Sequence, residues 1–161
     1  MTEEFDKIFE KVIGHEGGYV NDATDRGGET KFGISKRAYP KVDIKNLTLE
    51  DAKQIYYSDY WLKSRCDILP KEIRYIHFDS CINHGVHGAI KLMQSAAYCN
   101  AIDGIVGNET KSKAKSINIH TYAYYRLNKF VNIVIASPAQ AKFLKGWSRR
   151  VMAIVKEATN T

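Results

Sequence analysis

The amino-acid sequence predicts a mainly α-helical fold with one small β-hairpin or loop excursion after the first helix. Apolar residues recur at helical spacing through most of the chain, whereas a glycine-rich segment, residues 17–33, breaks that pattern. With 161 residues, 44% hydrophobic content, 11 Gly and only 3 Pro, the composition is that of a soluble globular protein. A chain of this length buries enough surface to fold without a disulfide or a metal.

The first helix is predicted over residues 3–14, with Thr2 as its N-cap. Its apolar residues recur at i, i+3, i+4, i+7 and i+8, which places them on one helix face. They are Phe5, Ile8, Phe9, Val12 and Ile13. The segment that follows holds five glycines with Asn21, Asp22 and Asp25, a composition typical of loops or a short hairpin.

Helical signals resume at residue 49 and continue to the end of the chain. Thr48-Leu49-Glu50-Asp51 is a capping box that opens a helix over 49–62. Further helices are predicted from Pro70, over 86–98, near 108–116 and over 118–135. A second capping box, Ser137-Pro138-Ala139-Gln140, is expected to open the last helix, with proline at the first helical position.

Charge is unevenly distributed along the chain. Residues 1–95 carry 14 Lys+Arg against 15 Asp+Glu, whereas residues 96–161 carry 10 against 3. The basic second half indicates an anionic partner, and nucleic acid, acidic lipid and bacterial wall polymers all qualify.

Cysteine usage and the N-terminus indicate a chain made in a reducing compartment. Three scattered cysteines without a CxxC motif argue against a disulfide framework. The acidic, amphipathic N-terminus resembles neither a signal peptide nor a transit peptide, and no apolar stretch is long enough to cross a bilayer. We therefore expect no stable membrane insertion.

Glu16 is the best candidate for an acid catalyst. Cleavage of a glycosidic bond needs a carboxylic acid that still holds its proton near neutral pH. Glu16 directly follows an apolar helix, where the helix dipole and nearby hydrophobic surface both raise the pKa of a carboxyl group. A hairpin after it would return Asp25 and Thr30 toward it. The ordinary alternative is a solvated glutamate at a helix end and an aspartate in a turn.

The sequence from Glu16 through the glycine-rich segment resembles the signature of glycoside hydrolase family 108. This family comprises phage and bacterial N-acetylmuramidases with a lysozyme-like fold. The resemblance lies in residues 16–22 (EGGYVND) and 25–34 (DRGGETKFGI), continues through 47–52 (LTLEDA), and covers roughly residues 8–95. It implies a lysozyme-like catalytic lobe over residues 1–95, with Glu16 as the catalytic acid. Asp25 and Thr30 match the family's downstream Asp and Thr, although the last gap is one residue shorter than in phage-type lysozymes.

The second half carries a different resemblance. Residues 103–110 (DGIVGNET) are similar to a run in predicted peptidoglycan-binding domains, over about residues 79–155. The resemblance implies that the basic helical lobe, residues 96–161, binds peptidoglycan while packing with the first lobe into one compact unit. The alternative is a structural role for this run, because Asp103-Gly104 makes a turn and Asn108 can cap the next helix.

Tyr19, Asn83 and His84 are expected to contact substrate.

A metal site is an alternative for part of the second half. His77, Cys81 and His84 share one helix face, with His87 nearby. Their spacing matches no common zinc motif, and a buried cysteine with ordinary histidines is the more frequent arrangement. We therefore expect no metal and no cofactor.

Together these patterns predict a muramidase that hydrolyses the β-1,4 bond between N-acetylmuramic acid and N-acetylglucosamine in peptidoglycan. The alternatives are a lytic transglycosylase on the same bond and a non-catalytic wall-binding or secretion accessory protein. Nucleic-acid binding lacks any recognisable motif. The expected setting is a monomeric phage endolysin, made in the host cytoplasm and reaching the wall through a holin-like partner. A bacterial prophage copy would show the same sequence features.

Overall fold

The computed structural model describes residues 1–13, 18–21 and 28–160. These residues form six α-helices and a three-stranded antiparallel sheet. This architecture confirms the predicted mainly-α, lysozyme-like fold class with its small β excursion. The chain divides into two compact units, unit 1 (Met1–Asp59) and unit 2 (Tyr60–Thr161). The functional division at residues 95 and 96 stays a prediction.

Two helices of unit 1 begin where their capping residues predict. Helix α1 spans Glu3–Ile13, and the backbone N–H of Phe5 donates to the Thr2 hydroxyl at 3.2 Å. Helix α2 spans Leu49–Tyr56 and begins with a complete capping box. The N–H of Asp51 donates to Thr48 Oγ1 at 3.1 Å, and the N–H of Thr48 donates to the Asp51 carboxylate at 3.2 Å.

Aromatic side chains join these two helices. The Phe5 ring lies 4.9 Å from that of Tyr57, and the Phe9 ring lies 5.7 Å from that of Tyr56. Phe5, Phe9 and Tyr56 are each at most 2% exposed, so this contact forms the core of unit 1. The helix predicted over 49–62 ends as an α-helix at Tyr56 and continues as a π-helical turn, Tyr57–Leu62.

The glycine-rich excursion contributes three short strands: β1 (Val20–Asn21), β2 (Glu29–Lys31) and β3 (Ile34–Ser35). They pair in the order β1-β2-β3, both pairs antiparallel. The β2–β3 turn consists of Phe32 and Gly33, both at positive φ (51° and 76°), as a type I′ hairpin turn requires. Ile34 is fully buried and anchors the sheet to the core of unit 1.

Unit 2 is helical throughout. It contains α3 (Lys71–Ala96), α4 (Asn108–Lys113), α5 (Ile119–Ala136) and α6 (Ala141–Thr159). Its core lies between α3, α5 and α6 and includes Ile76, Met93, Tyr122, Phe130 and Val151. The two helices predicted on either side of residue 85 form one long element, α3, which Gly85 interrupts with non-helical backbone angles (φ 71°, ψ 160°).

The capping box predicted at Ser137 is wrong. Residues Pro138–Gln140 form a 3₁₀ turn in which the N–H of Gln140 donates to the backbone carbonyl of Ser137 rather than to its hydroxyl. Helix α6 therefore begins at Ala141, without a side-chain cap. Tertiary packing of α5 against α6 requires a tight connection, and the 3₁₀ turn supplies it without help from the Ser137 side chain.

No helix in the described part of the chain is long and apolar enough to cross a bilayer.

Candidate active site

The two predicted carboxyl residues of the site, Glu16 and Asp25, lie outside the described residues. Thr30 is described, and it is the central residue of β2, paired with Val20 on β1 and Ser35 on β3. Its side chain is partly exposed, and its hydroxyl donates to the carbonyl of Gly28 at 3.4 Å. A hydrogen bond of that length is weak. The hydroxyl can therefore turn to a water molecule or a sugar at small cost.

Tyr19 and Glu29 form a polar pair across β1 and β2. The Tyr19 hydroxyl donates to Glu29 Oε1 at 2.8 Å, and its ring is 39% exposed. This hydrogen bond raises the pKa of the Tyr19 phenol. Tyr19 was predicted to contact substrate, and it presents an exposed aromatic ring whose hydroxyl is held in place.

Glu29 is a candidate functional residue that the sequence analysis does not identify. It precedes Thr30 on the strand and lies opposite Asn21 in the ladder. The Gly-Gly-Glu-Thr motif, residues 27–30, indicates only Thr30 as a site residue. Side chains alternate between the two faces of a strand, so once β1 is paired with β2, Glu29 lies on the same face as Asn21. This alternation is the signal that identifies Glu29.

The strand carrying Thr30 is held in register by a contact with α2. The Tyr56 hydroxyl donates to the carbonyl of Phe32 at 3.1 Å. A β-carbon on residue 33 would lie 2.5 Å from the same hydroxyl oxygen, so only glycine fits there. Because β2 and β3 share this two-residue turn, the contact also sets the position of Thr30.

A shallow depression of about 400 Å³ lies elsewhere on unit 1. It is lined by the loop at residues 42–47 and by α2. Neither Tyr19 nor Thr30 contributes to it, so it is not part of the candidate site.

The predicted substrate residues of unit 2 lie next to a buried ion network on α3. Asp79 is 1% exposed and accepts hydrogen bonds from the fully buried Arg126 and from Arg150. Asn83, one turn later, donates from its amide to the carbonyl of Asp79 at 2.7 Å. The Asn83 side chain is exposed, and this bond uses its amide nitrogen, so its amide oxygen can accept a hydrogen bond from a ligand.

His84 is more enclosed than its neighbour. Its ring lies 4.9 Å from that of Phe130, and its Nε2 is buried without a hydrogen-bond partner among the described residues. Burial, assisted by the charges of Arg126 and Lys129, lowers the pKa of His84 to about 4. The imidazole is therefore neutral at pH 7 and packs as an aromatic side chain.

His77, one of the three residues that share the helix face of the possible metal site, has other partners. Fully buried His77 uses both ring nitrogens, Nδ1 with the Tyr122 hydroxyl at 2.9 Å and Nε2 with the carbonyl of Ser64 at 3.0 Å. Burial raises the pKa of the Cys81 thiol to about 12, so the thiol is protonated at neutral pH in the metal-free protein.

The Asp-Gly turn of the second half is organised by Gln94. Its buried amide donates to Asp103 Oδ1 at 2.8 Å and to the carbonyl of Ile105 at 3.0 Å, and its oxygen accepts from the N–H of Gly104 at 2.8 Å. The same amide lies 3.3 Å from the hydroxyl of Thr110. These contacts give Asp103 and Thr110 a structural role. This role is the alternative to peptidoglycan binding that the sequence allows for residues 103–110.

Comparison with known proteins adds a family match to this geometry. Residues 9–85, slightly less than half of the chain, match the model of the family described as Glycosyl hydrolase 108. The chain is also similar to the solved structure of Brucella abortus SagA, with 28% identity and a TM-score of 0.79 over 97% of this chain and 94% of that one. No curated protein matches the sequence.

The matched region includes the whole candidate site of unit 1 and the Asp79–Asn83 turn of unit 2. The match supports a glycoside hydrolase that acts on peptidoglycan. Peptidoglycan binding by residues 96–161 stays a prediction.

Proposed function

We propose that the protein is an N-acetylmuramidase that hydrolyses the β-1,4 bond between N-acetylmuramic acid and N-acetylglucosamine in bacterial peptidoglycan. The observation that carries this proposal is the family match over residues 9–85, within which the glycine-rich excursion presents Tyr19 and Thr30 on a small sheet. The lysozyme-like fold class agrees with it.

In the proposed reaction, Glu16 donates its proton to the oxygen that leaves C1 of N-acetylmuramic acid. A water molecule adds to C1 and gives up a proton to a carboxylate of the site, which completes the hydrolysis. Asp25 holds that water or stabilises the positive charge on the sugar, and the Thr30 hydroxyl assists it. Tyr19 supplies a ring face for a sugar. For unit 2 taken by itself, we propose that the Asn83 amide makes a hydrogen bond to an N-acetyl or peptide group of the polymer.

The test is product analysis on purified peptidoglycan with the native protein and the Glu16→Gln variant. Glutamine keeps the size of the side chain but has no acidic proton to donate, so turnover should fall roughly 10²- to 10⁴-fold. Glu10→Gln is the matched control, because Glu10 is an exposed glutamate on the polar face of α1. It should retain native activity.

The products also separate the proposed chemistry from its rivals. Hydrolysis gives reducing N-acetylmuramic acid ends, whereas a lytic transglycosylase gives 1,6-anhydro ends that mass spectrometry recognises by the missing water. Undiminished cleavage by Glu16→Gln would overturn the assignment of the acid. Absence of any cleavage by the native protein, with wall binding retained, would favour an accessory role.

For the biological setting, we propose a phage or prophage endolysin that is made in the cytoplasm and reaches the wall after a holin-like partner opens the membrane. Bacteria that express the protein should grow until a permeabilising agent is added and then lyse. Lysis without that agent would contradict this part of the proposal.

A further inference from the structure

Unit 2 carries an unbalanced positive charge on its surface. Between Glu109 and Glu157 the chain has ten Lys and Arg and no acidic residue. Three of the ten are paired, Lys113 with Glu109 and the two arginines Arg126 and Arg150 with Asp79. Within residues 1–13, 18–21 and 28–160, the other seven make no ion pair. An unpaired positive charge of this size indicates an anionic partner.

Four of the unpaired cations lie on one face of α6. We call them the α6 cationic face: Lys142, Lys145, Arg149 and Lys156, at i, i+3, i+7 and i+14. All four are exposed. At a rise of 1.5 Å per residue they extend over about 20 Å of one helix side. They can therefore reach a flat anionic surface at the same time.

Exposed apolar side chains lie at the N-terminal end of this face. Helix α5 ends at Ala136 and α6 begins at Ala141, and the residues around this connection form what we call the α5–α6 tip. Its large members are Val131, Ile135 and Phe143, which are 43%, 72% and 45% exposed. Pro138 and Ala139, between the helices, are also exposed. Lys142 lies 5.0 Å from the centre of the Phe143 ring, so the tip and the cationic face are contiguous.

We propose that the α5–α6 tip and the α6 cationic face together form a docking surface for an anionic phospholipid bilayer. Aliphatic side chains enter the acyl boundary while neighbouring lysines and arginines contact anionic headgroups, and this pairing of signals gives reversible interfacial binding. The protein adsorbs to the bilayer surface and does not span it.

The same residues argue against the other occupants. A second copy would bring two like-charged faces together, which is unfavourable. Nucleic acid and anionic wall polymers would use the cations but gain little from Val131 and Ile135, because branched aliphatic side chains do not stack on sugars or bases. A bilayer uses both parts of the surface.

The experiment is cosedimentation of the full-length protein with sucrose-loaded vesicles, either pure phosphatidylcholine or with 40 mol% phosphatidylglycerol, at low and physiological salt. We expect binding to the anionic vesicles alone, weakened by salt. The Lys142→Gln/Lys145→Gln variant should lower the partition coefficient roughly thirtyfold, since each cation near an anionic surface contributes about fivefold. Ile135→Asn should lower it about tenfold.

Matched controls come from unit 2 itself. Lys71→Gln/Lys91→Gln removes two exposed lysines from α3, and Ile105→Asn removes an isoleucine that is 67% exposed outside the tip. Both should bind within twofold of the native protein. Circular dichroism of every variant establishes that each is folded.

A second readout reports insertion rather than electrostatic adsorption. In the Phe143→Trp variant, lipids brominated near the headgroup end of the acyl chain should quench fluorescence beyond the level seen with the native protein. Absence of binding to anionic vesicles, equal losses in the control variants, or no added quenching would each overturn the proposal. None of these measurements depends on wall cleavage.

Discussion

The Tyr56 hydroxyl occupies the space that a β-carbon on residue 33 would need. It donates a hydrogen bond to the carbonyl of Phe32, and it would lie 2.5 Å from that β-carbon. One side chain on α2 thereby requires glycine in the β2–β3 turn, and the turn in turn positions Thr30. The stability of the candidate site depends on this contact.

Gly33→Ala should therefore destabilise the protein. Alanine at a φ of 76° is strained, and its methyl group meets the Tyr56 oxygen, so we expect a loss of about 2 kcal/mol in the free energy of unfolding. Urea unfolding measures it. The Gly33→Ala/Tyr56→Phe double variant should lose less than the sum of the single changes, because the methyl group no longer meets an oxygen. Gly146→Ala on α6 is the matched control. A β-carbon on residue 146 would meet no neighbouring atom within 4 Å, so this change should be neutral or stabilising.

Thr30 is expected to contribute to turnover and not to folding. Thr30→Val keeps the branched shape that suits a strand but removes the hydroxyl, so kcat should fall about ten- to a hundredfold with little change in the unfolding midpoint. Thr30→Ser restores the hydroxyl and should recover most of the activity. Native turnover by the valine variant would show that the hydroxyl takes no part in the reaction.

The Asp79 network should matter more for stability than any surface ion pair. Asp79→Asn leaves the buried Arg126 without its counter-charge, so we expect a loss of about 3–5 kcal/mol in the free energy of unfolding. Asp67→Asn breaks the exposed pair with Arg65 and should cost less than 1 kcal/mol. Chemical denaturation of the two variants makes the comparison. Similar losses would contradict a buried network.

Stability should fall as the pH is lowered from 6.5 to about 4. Burial lowers the pKa of His77 to about 4, whereas an unfolded histidine titrates near 6.5, so the unfolded chain binds the proton first. The stabilisation from His77 is complete above pH 6.5 and is lost toward pH 4, with a total of about 3 kcal/mol. Lowering of the His84 pKa by burial acts in the same direction.

Denaturation series at several pH values, with NMR of the histidine rings, test this pH dependence. The ring signals of His77 and His84 should show no titration between pH 5.5 and 7.5 in the folded protein. His84→Gln should reduce the slope of stability against pH while leaving His77 unchanged. Titration of the His77 ring near pH 6.5 would rule out the buried, neutral form.

Local patterns predicted the elements of the fold well. The Thr2 and Thr48 caps and the hairpin in the glycine-rich segment follow from the chemistry of neighbouring residues, and all three are present. The cap at Ser137 failed because its hydroxyl competes with a backbone carbonyl for the same N–H, and packing of the two helices decides that competition.

The sequence by itself determined where α1 and α2 begin, which segment turns into a sheet, and which motif matches a glycoside hydrolase family, because these depend on residues close together in the chain. Only the tertiary structure decided that Asp79 pairs with Arg126 and Arg150, 47 and 71 residues away, and that Tyr56 requires glycine at position 33. Such contacts depend on how packed helices bring distant side chains together, and no local spacing encodes them.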